Sequence, residues 1–515
     1  MHPDSRRRVA YGVWLTALAV AVAARTVELG RWPGLNGDES WYGVNVLEFL
    51  NGGTPFWRTG VGNPLSPIHS GLLMLLSTVF EPSPGLLRVP EVILGLAAVA
   101  IANPLLSRPL GERAAFIAAL LLAVSPTAIA YARLGWDPSG TPLFSLLTVG
   151  LAFRDRPMAA LVAFVVGYFV HPTNLFLAPV IAAAWAPHAI DRYRQSTARK
   201  RALLMGLGIA GVIVAIPLGI WALVRVANNP DTPLPSLTMA IERMFSPLMW
   251  LGRLWGAMGL LSGTTTATYI GGPLPWAFGA AIATIAAVIL VSAILFGWSA
   301  FRARRHATWL LCGVAVAMAG FHVVAVPAAF QPGFERYALF LLVPLIVLTA
   351  VAIDALAERS ILAGVAATTV MTVAALAVIV GGYFVPLATR GGDGPQTYRT
   401  GAVEPKLAAF RFIDADRGAG AVTIVAEDWW LYWSLRYFAG VDGPIHVEPA
   451  PSTSIPGGVR PAGVAAPARP AASKTYVVAF AGSAFPATLA RASAVFTAVD
   501  PLGRPILQVF AVEPH

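Results

Sequence analysis

Two adjacent carboxylates, Asp38 and Glu39, stand in the stretch NGDESWYG (36–43), just beyond the hydrophobic run that opens the chain. Acidic groups this close to a bilayer are costly to retain, so they point either to a task or to the capping of a helix. A carboxylate within reach of a hydroxyl can take its proton, and two neighbouring carboxylates raise each other's pKa, which brings a base towards neutrality. Groups of the complementary kind lie in three other segments: Arg133 and Asp137 in YARLGWDPSG (131–140), His171 in HPTN (171–174), and Arg336 with Tyr337 in GFERY (333–337). A guanidinium offers several fixed donors and a phenol one more, a set suited to holding a phosphate. Each has a structural alternative. Asp137 precedes a proline and suits a helix N-cap, Tyr337 suits interfacial anchoring, and a lone His69 or His171 is commonly a hydrogen-bonded structural residue.

The scaffold for these residues has to be a membrane domain. The 515-residue chain is 57% hydrophobic and only 12% charged, with a mean hydropathy of +0.67, whereas soluble proteins carry about 25% charged residues. The net charge of +10 is almost all arginine; lysine occurs only at Lys200, Lys406 and Lys474. In a membrane protein such an excess marks cytoplasmic loops, so a nucleic-acid partner is not needed to explain it. The single cysteine, Cys312, excludes an intrachain disulfide and a multi-cysteine metal site.

Arg6, Arg7 and Arg8 precede the apolar run 9–24, which reads as an uncleaved first helix with a cytoplasmic N-terminus. Further runs at 86–106, 114–130, 142–153, 161–170, 175–186, 203–226, 273–296, 309–326, 338–356 and 361–383 bring the expected spans to eleven. The piece 68–80 is short of the roughly 20 residues that a span needs and reads as interfacial or re-entrant. Counting it as a span would turn the loops holding Arg108 and Arg192 outward, against the positive-inside rule. Residues 41–50, with Tyr42, Val46, Phe49 and Leu50 on one face, suit an amphipathic helix in the membrane interface. Arg25 and Glu28 are expected near the outer helix end, reaching to the interface, and 228–272 reads as a long outer loop. With this topology Asp38, Asp137, His171 and Arg336 converge on the outer face from four separate loops.

From Pro386 onward the pattern changes. Period-2 runs at 421–426, 475–480 and 506–512 read as strands, 429–438 as an aromatic helix, and the Pro/Ala/Gly-rich 449–472 as a loop. The expected organisation is thus an α-helical polytopic membrane domain, 1–385, followed by a small α/β extracytoplasmic domain, 386–515.

The chain resembles the GT-C glycosyltransferases that use polyprenyl-phosphate sugars, such as protein O-mannosyltransferases and lipid A aminoarabinose transferases. The resemblance rests on Asp38-Glu39 followed by Trp41 and Tyr42, on LLRVPEVILG (86–95) leading through a basic turn into AAFIAALLLAVSP (114–126), on Arg133 with Asp137, and on ERYALFLLVP (335–344). It implies a GT-C-like membrane fold in the cell membrane, with interfacial helices in the first outer loop. It further implies sugar transfer from a polyprenyl-phosphate donor to a lipid, glycan or protein acceptor, with inversion. Asp38 would be the base, Glu39 would orient the acceptor or support the loop, and Arg336 with Tyr337, helped by Arg133, would hold the lipid phosphate. Many relatives carry a Lys-Pro-Pro-like element where this chain reads GNPLSPIHSG (62–71) without lysine; Arg58 or His69 would take its place. His69 and His171 with the carboxylates offer a possible divalent-cation site, but their spacing has no ligand signature, so no metal is expected. Trp429, Trp430, Tyr432 and Trp433 would stack on sugars or pack against the membrane domain. A transporter or flippase would also explain many spans and outer-face acids, although no internal repeat supports it. A glycolipid-binding scaffold without catalysis is the third reading.

Overall fold

In lipid, an apolar chain can satisfy its backbone only within helices or closed barrels, and the long apolar runs among the described residues are helices. The computed structural model describes residues 3–53, 65–197, 237–272, 274–324, 330–331, 333–394, 402–450, 474–483 and 493–512. The N-terminal part runs α1 (Pro3–Thr26), α2 (Gly37–Leu50), α3 (Pro67–Ser77), α4 (Pro84–Leu110), α5 (Glu112–Val124), α6 (Pro126–Tyr131), α7 (Thr141–Phe153), α8 (Pro157–Val170) and α9 (Ala178–Gln195). Among the described residues, six helical segments are long and apolar enough to cross a membrane: Pro84–Leu110, Pro172–Gln195, Trp276–Phe296, His306–Val324, Glu335–Arg359 and Ile361–Thr389. The expected spans near the start of the chain and at 114–130, 142–153 and 161–170 coincide with α1, α5–α6, α7 and α8, while 203–226 lies outside the described residues.

The helix Leu342–Arg359 is the axis of the bundle. It is apolar on every side, as a helix enclosed by others must be, and it packs against α5, α7 and the helices Trp276–Phe296, Arg305–Val324 and Ile361–Ala377. At one end Arg113 and Arg304 both pair with Asp354, at 3.2 and 2.7 Å; Asp38, Asp137 and Arg336 lie at the other. The helix α3, at about 1.5 Å per residue, is too short for a bilayer core of roughly 30 Å and packs beside α2 and α4.

Three expectations are corrected. Arg25 does not reach to the interface; it is fully buried and donates to the carbonyls of Ala21, Ala123 and Leu122 at 3.1, 3.1 and 3.4 Å. The reason is Pro126, which has no N–H to offer the last turn of α5, so the guanidinium answers carbonyls that the helix leaves open. The outer loop 228–272 is, over its described part, largely helical, with helices Leu237–Phe245 and Pro247–Ser262 separated by Ser246. Finally, α2 is covered by protein over most of its length, with Phe49 and Leu50 exposed at its end. The aromatic helix Trp429–Ala439 covers it, with Trp41 and Trp433 rings 6.3 Å apart edge to face, Ser40 and Ser434 hydroxyls at 3.2 Å, and Arg436 Nη2 donating to Glu48 Oε1 at 2.6 Å. Gly43 permits this close approach, since a Cβ there would fall 2.5 Å from the Tyr437 ring. The aromatic segment is therefore packing, not a sugar platform.

That helix belongs to a five-stranded mixed sheet of order β2-β1-β3-β5-β4, with β1 (Val422–Ala426), β2 (Ile445–Pro449), β3 (Lys474–Phe480), β4 (Ala494–Val499) and β5 (Pro505–Val512). Strand β1 pairs in parallel with β2 and β3, and β5 runs antiparallel to β3 and β4. The strands β2 and β4 and the helix Val403–Asp416 were not expected: IHVEP and AVFTAV are short and carry weak alternation.

The sheet unit also grips the start of α2 directly. Lys406, fully buried, donates its ammonium to the carbonyl of Leu35. Burial pushes its pKa down to about 7, with Asp428, Glu39 and Asp393 opposing the shift. Because the folded-state value lies below the ordinary 10.5, the unfolded chain binds the extra proton between about 7 and 10.5, and stability rises with pH across that window. Lys406→Met is expected to flatten this rise by up to about 1.4 kcal/mol per pH unit, read as thermal unfolding of the detergent-solubilised protein from pH 7 to 10.

Candidate active site

The start of α2 is set by a capping box: the Asn36 side chain accepts from the Glu39 N–H at 2.9 Å, and the Asn36 N–H donates to Glu39 Oε2 at 3.2 Å. This reciprocal bond turns Glu39 inward. There Arg88 on α4 meets it as a two-pronged pair, Nε to Oε1 and Nη2 to Oε2, both at 2.8 Å, and the Gly135 N–H donates to Oε1 at 2.7 Å. Arg88 also donates to the carbonyls of Leu29, Pro33 and Gly34 at 2.8, 2.9 and 3.2 Å. Both side chains are fully buried. Glu39 is thus the pin that joins α2, α4 and the loop after α6. Of the two roles open to it, these bonds fit the support of the loop.

Successive helical residues point about 100° apart, so the inward turn of Glu39 leaves Asp38 on another side. Asp38 is half-buried. Burial raises its pKa, the Arg336 charge opposes this, and Glu39 adds to it. Asp137, also half-buried, is pushed up to about 7, first by burial and then by Asp38 and Glu91, against His69 and Arg336. It makes no capping hydrogen bond; it is the first residue of the 3₁₀ turn Asp137–Gly140. Two half-buried carboxylates of elevated pKa and a guanidinium therefore lie near enough to feel one another's charge.

Arg336 begins the turn that leads into the helix Leu342–Arg359. Its guanidinium lies 5.2 Å from the Trp136 ring centroid and 5.0 Å from that of Tyr337, and its Nη2 donates to the Tyr337 hydroxyl at 3.2 Å. Stacking on two aromatic faces fixes the plane of the fork. His171 backs this arrangement, its ring 5.9 Å from Tyr337 and its Nδ1 2.7 Å from the Thr173 hydroxyl. Burial, with help from Arg336, drives His171 down to about 3, so it stays neutral beside the arginine. Tyr42 is buried next to Asp137 and Asp38; burial and both carboxylates hold its phenol well above the ordinary value.

Two phosphate-binding candidates, Arg133 and His69, have their donors engaged elsewhere. Arg133 is fully buried and spends its donors on the carbonyls of Ala24, Val27 and Trp32 at 3.0, 2.6 and 2.9 Å, closing the turn after α1. His69 is buried, with Nδ1 2.8 Å from Glu91 Oε1, so it cannot stand in for a lysine at a lipid headgroup. Arg58 lies outside the described residues. Sequence reasoning missed Arg88, Glu91 and Trp136, although all three fall inside the segments it singled out. Among the described residues no three His, Cys, Asp or Glu side chains converge in a way that could hold a metal ion.

No protein-family model matches the chain, and no curated protein sequence does. Its structure is similar to that of ArnT from Cupriavidus metallidurans in the apo state, with TM-score 0.54 and 15% identity over 97% of this chain and 98% of that one. ArnT from the same organism bound to undecaprenyl phosphate gives TM-score 0.52 and 14% identity over 99% and 98% of the two chains. A fainter likeness, TM-score 0.44 at 15% identity, covers 85% of this chain and 62% of the Archaeoglobus fulgidus oligosaccharyltransferase in complex with Zn and sulfate. The chain is a polytopic membrane protein that shares the fold of the ArnT structures over 97–99% of its length.

Proposed function

We propose that the protein is a membrane glycosyltransferase that moves a sugar from a polyprenyl-phosphate donor to an acceptor hydroxyl, on the extracytoplasmic side of the cell membrane. The observation that carries this reading is the divergence of the acidic pair: Glu39 is fully buried on Arg88, Gly135 and Asn36, while Asp38 is half-buried within the charge field of Arg336 and Asp137. In the reaction, the acceptor oxygen bonds to the anomeric carbon as the bond from that carbon to the phosphate oxygen breaks. The acceptor proton goes to the Asp38 carboxylate, and the electron pair of the broken bond goes to the lipid phosphate, whose charge Arg336 and the Tyr337 hydroxyl meet. Fold likeness to an ArnT structure that holds undecaprenyl phosphate supports the donor class. The acceptor is a lipid, glycan or protein hydroxyl.

A single displacement inverts the anomeric centre. The test is to incubate the purified protein with undecaprenyl-phosphate sugars of defined configuration and to read the product anomer by NMR. Inverted product is expected; retained configuration, or no product from any donor, overturns the proposal. Arg336→Lys keeps the charge but loses the stacked fork, and is expected to raise KM for the donor about tenfold while kcat changes less. An unchanged KM would remove Arg336 from the donor site.

A further inference from the structure

Next to the turn that carries Asp137 lies a buried imidazole held by a buried carboxylate. His69, in the first turn of α3, is 1% exposed, and Glu91, on α4, is 0% exposed. His69 Nδ1 stands 2.8 Å from Glu91 Oε1. The ring lies edge-on to Tyr42, with centroids 4.7 Å apart. The second nitrogen, Nε2, and the second Glu91 oxygen, Oε2, are both buried and have no hydrogen-bond partner among the described residues. Glu91 Oε2 faces the turn that carries Asp137, since a Cβ on Gly140 would fall 3.5 Å from it. His69 is also the leading charge partner of Asp137, ahead of Asp38, Arg336 and Glu91.

An imidazole that hydrogen-bonds a carboxylate through Nδ1 is fixed in tautomer and orientation, and its other nitrogen becomes the working one. A structural histidine would ordinarily have both nitrogens engaged; here the one not used by Glu91 is buried without a hydrogen-bond partner among the described residues, within the charge field of Asp137. The groups facing His69 are Glu91 from α4, Tyr42 from α2 and Asp137 from the turn before α7; those facing Asp137 add Asp38 and Arg336.

We propose that Asp137, His69 and Glu91 form a proton relay behind Asp38: the acceptor proton passes from Asp38 to the Asp137 carboxylate and on to Nε2 of His69, while Glu91 accepts the Nδ1–H. The proposal rests on the reading of Asp38 as the base. Each transfer moves one proton between existing acids and bases, so Asp38 regains its charge while the imidazolium is balanced by Glu91. The proton returns to water through Asp137 after the lipid phosphate has left. His69 and Glu91 act through Asp137 and touch no substrate.

The test uses the full chain in detergent, with undecaprenyl phosphate released from undecaprenyl-phosphate sugars as the readout. Glu91→Gln keeps the shape and the Nδ1–H acceptor but removes the charge; it is expected to lower kcat about 100-fold with the donor KM and the melting temperature kept. His69→Gln removes the nitrogen that takes the proton from Asp137 and is expected to lower kcat about 100-fold and to displace the acid limb of the pH–rate profile, with the donor KM kept. Unchanged kcat and pH profile in both variants, with Asp38→Asn inactive, would overturn the relay and leave the base intact. A loss of activity that tracks loss of folded protein, with an unmoved pH profile, would equally count against it. Independently of turnover, ¹⁵N-histidine NMR is expected to find the His69 signal with Nδ1 protonated and with its Nε2 resonance displaced by Asp137→Asn; an Nε2–H tautomer indifferent to Asp137 would contradict the relay.

Discussion

Asp38→Asn is expected to abolish sugar transfer, with a fall of about 10³-fold in kcat, within the range by which a placed acid–base group accelerates proton transfer. The protein should remain folded. The contacts that hold the start of α2 belong to Asn36, Glu39 and Ser40, whose hydroxyl reaches the Asn36 carbonyl at 2.9 Å. The direction of any change in stability can be worked out. Burial raises the pKa of Asp38 in the folded state, so the folded protein holds a proton at pH values where the unfolded chain has lost it. Stability from this group is present below the unfolded value and is lost as pH rises through the folded one. Asparagine resembles the neutral acid, so the variant should melt no lower than the wild type at pH 7. For the same reason wild-type kcat should rise with pH through the elevated Asp38 pKa and the variant should lack that limb. Thermal unfolding and steady-state turnover on the same preparation check both halves. Retained turnover in a folded Asp38→Asn protein would remove Asp38 as the base.

Glu39→Gln should do the opposite, damaging the fold first. It leaves the Arg88 guanidinium fully buried against a neutral amide, and removing one partner of a buried pair costs about 3–5 kcal/mol. The local cost extends further than one bond, because Glu39 also accepts from the Gly135 N–H and completes the capping box with Asn36. Arg88→Met should be no milder: it strands the Glu39 charge and frees the carbonyls of Leu29, Pro33 and Gly34. Replacing both residues by apolar ones should not restore stability, since those backbone groups would still lack partners. The measurement is the melting temperature of each purified variant beside Asp38→Asn. A Glu39→Gln protein that melts with the wild type but has lost catalysis would place Glu39 in the chemistry after all. Under the proposed reaction the two adjacent acids divide the work, Asp38 serving the chemistry and Glu39 the frame.

How much of this was legible in the sequence follows from the range of the interactions. The spans were readable because a run of apolar residues in lipid has one local solution, and the sidedness of arginine clusters then brought Asp38, Asp137, His171 and Arg336 to one face. Strands β1, β3 and β5 were readable from their alternation, while β2 and β4 draw their existence from neighbours already in the sheet. What local spacing does not carry is the pairing of buried polar groups. Glu39 finds Arg88, and His69 finds Glu91, across segments that only packing of α2, α3 and α4 brings together. The same holds for Arg133 and Arg25, which look like phosphate or interface residues by type. They prove to be donors to backbone carbonyls left open by the turn after α1 and by Pro126. The covering of α2 by Trp429–Ala439 was likewise hidden, because an amphipathic helix is written the same way whether its face meets lipid or another helix.

The most direct measurement of the central claim is release of undecaprenyl phosphate by the purified full-length protein. A panel of undecaprenyl-phosphate sugars and a membrane lipid or glycan fraction as acceptor would be used, with wild type and Asp38→Asn run side by side at matched melting temperature. Acceptor-dependent release by the wild type from at least one donor, and none by the variant, is the predicted result. Binding of the donors without release by the wild type, or equal release by both proteins, would contradict it.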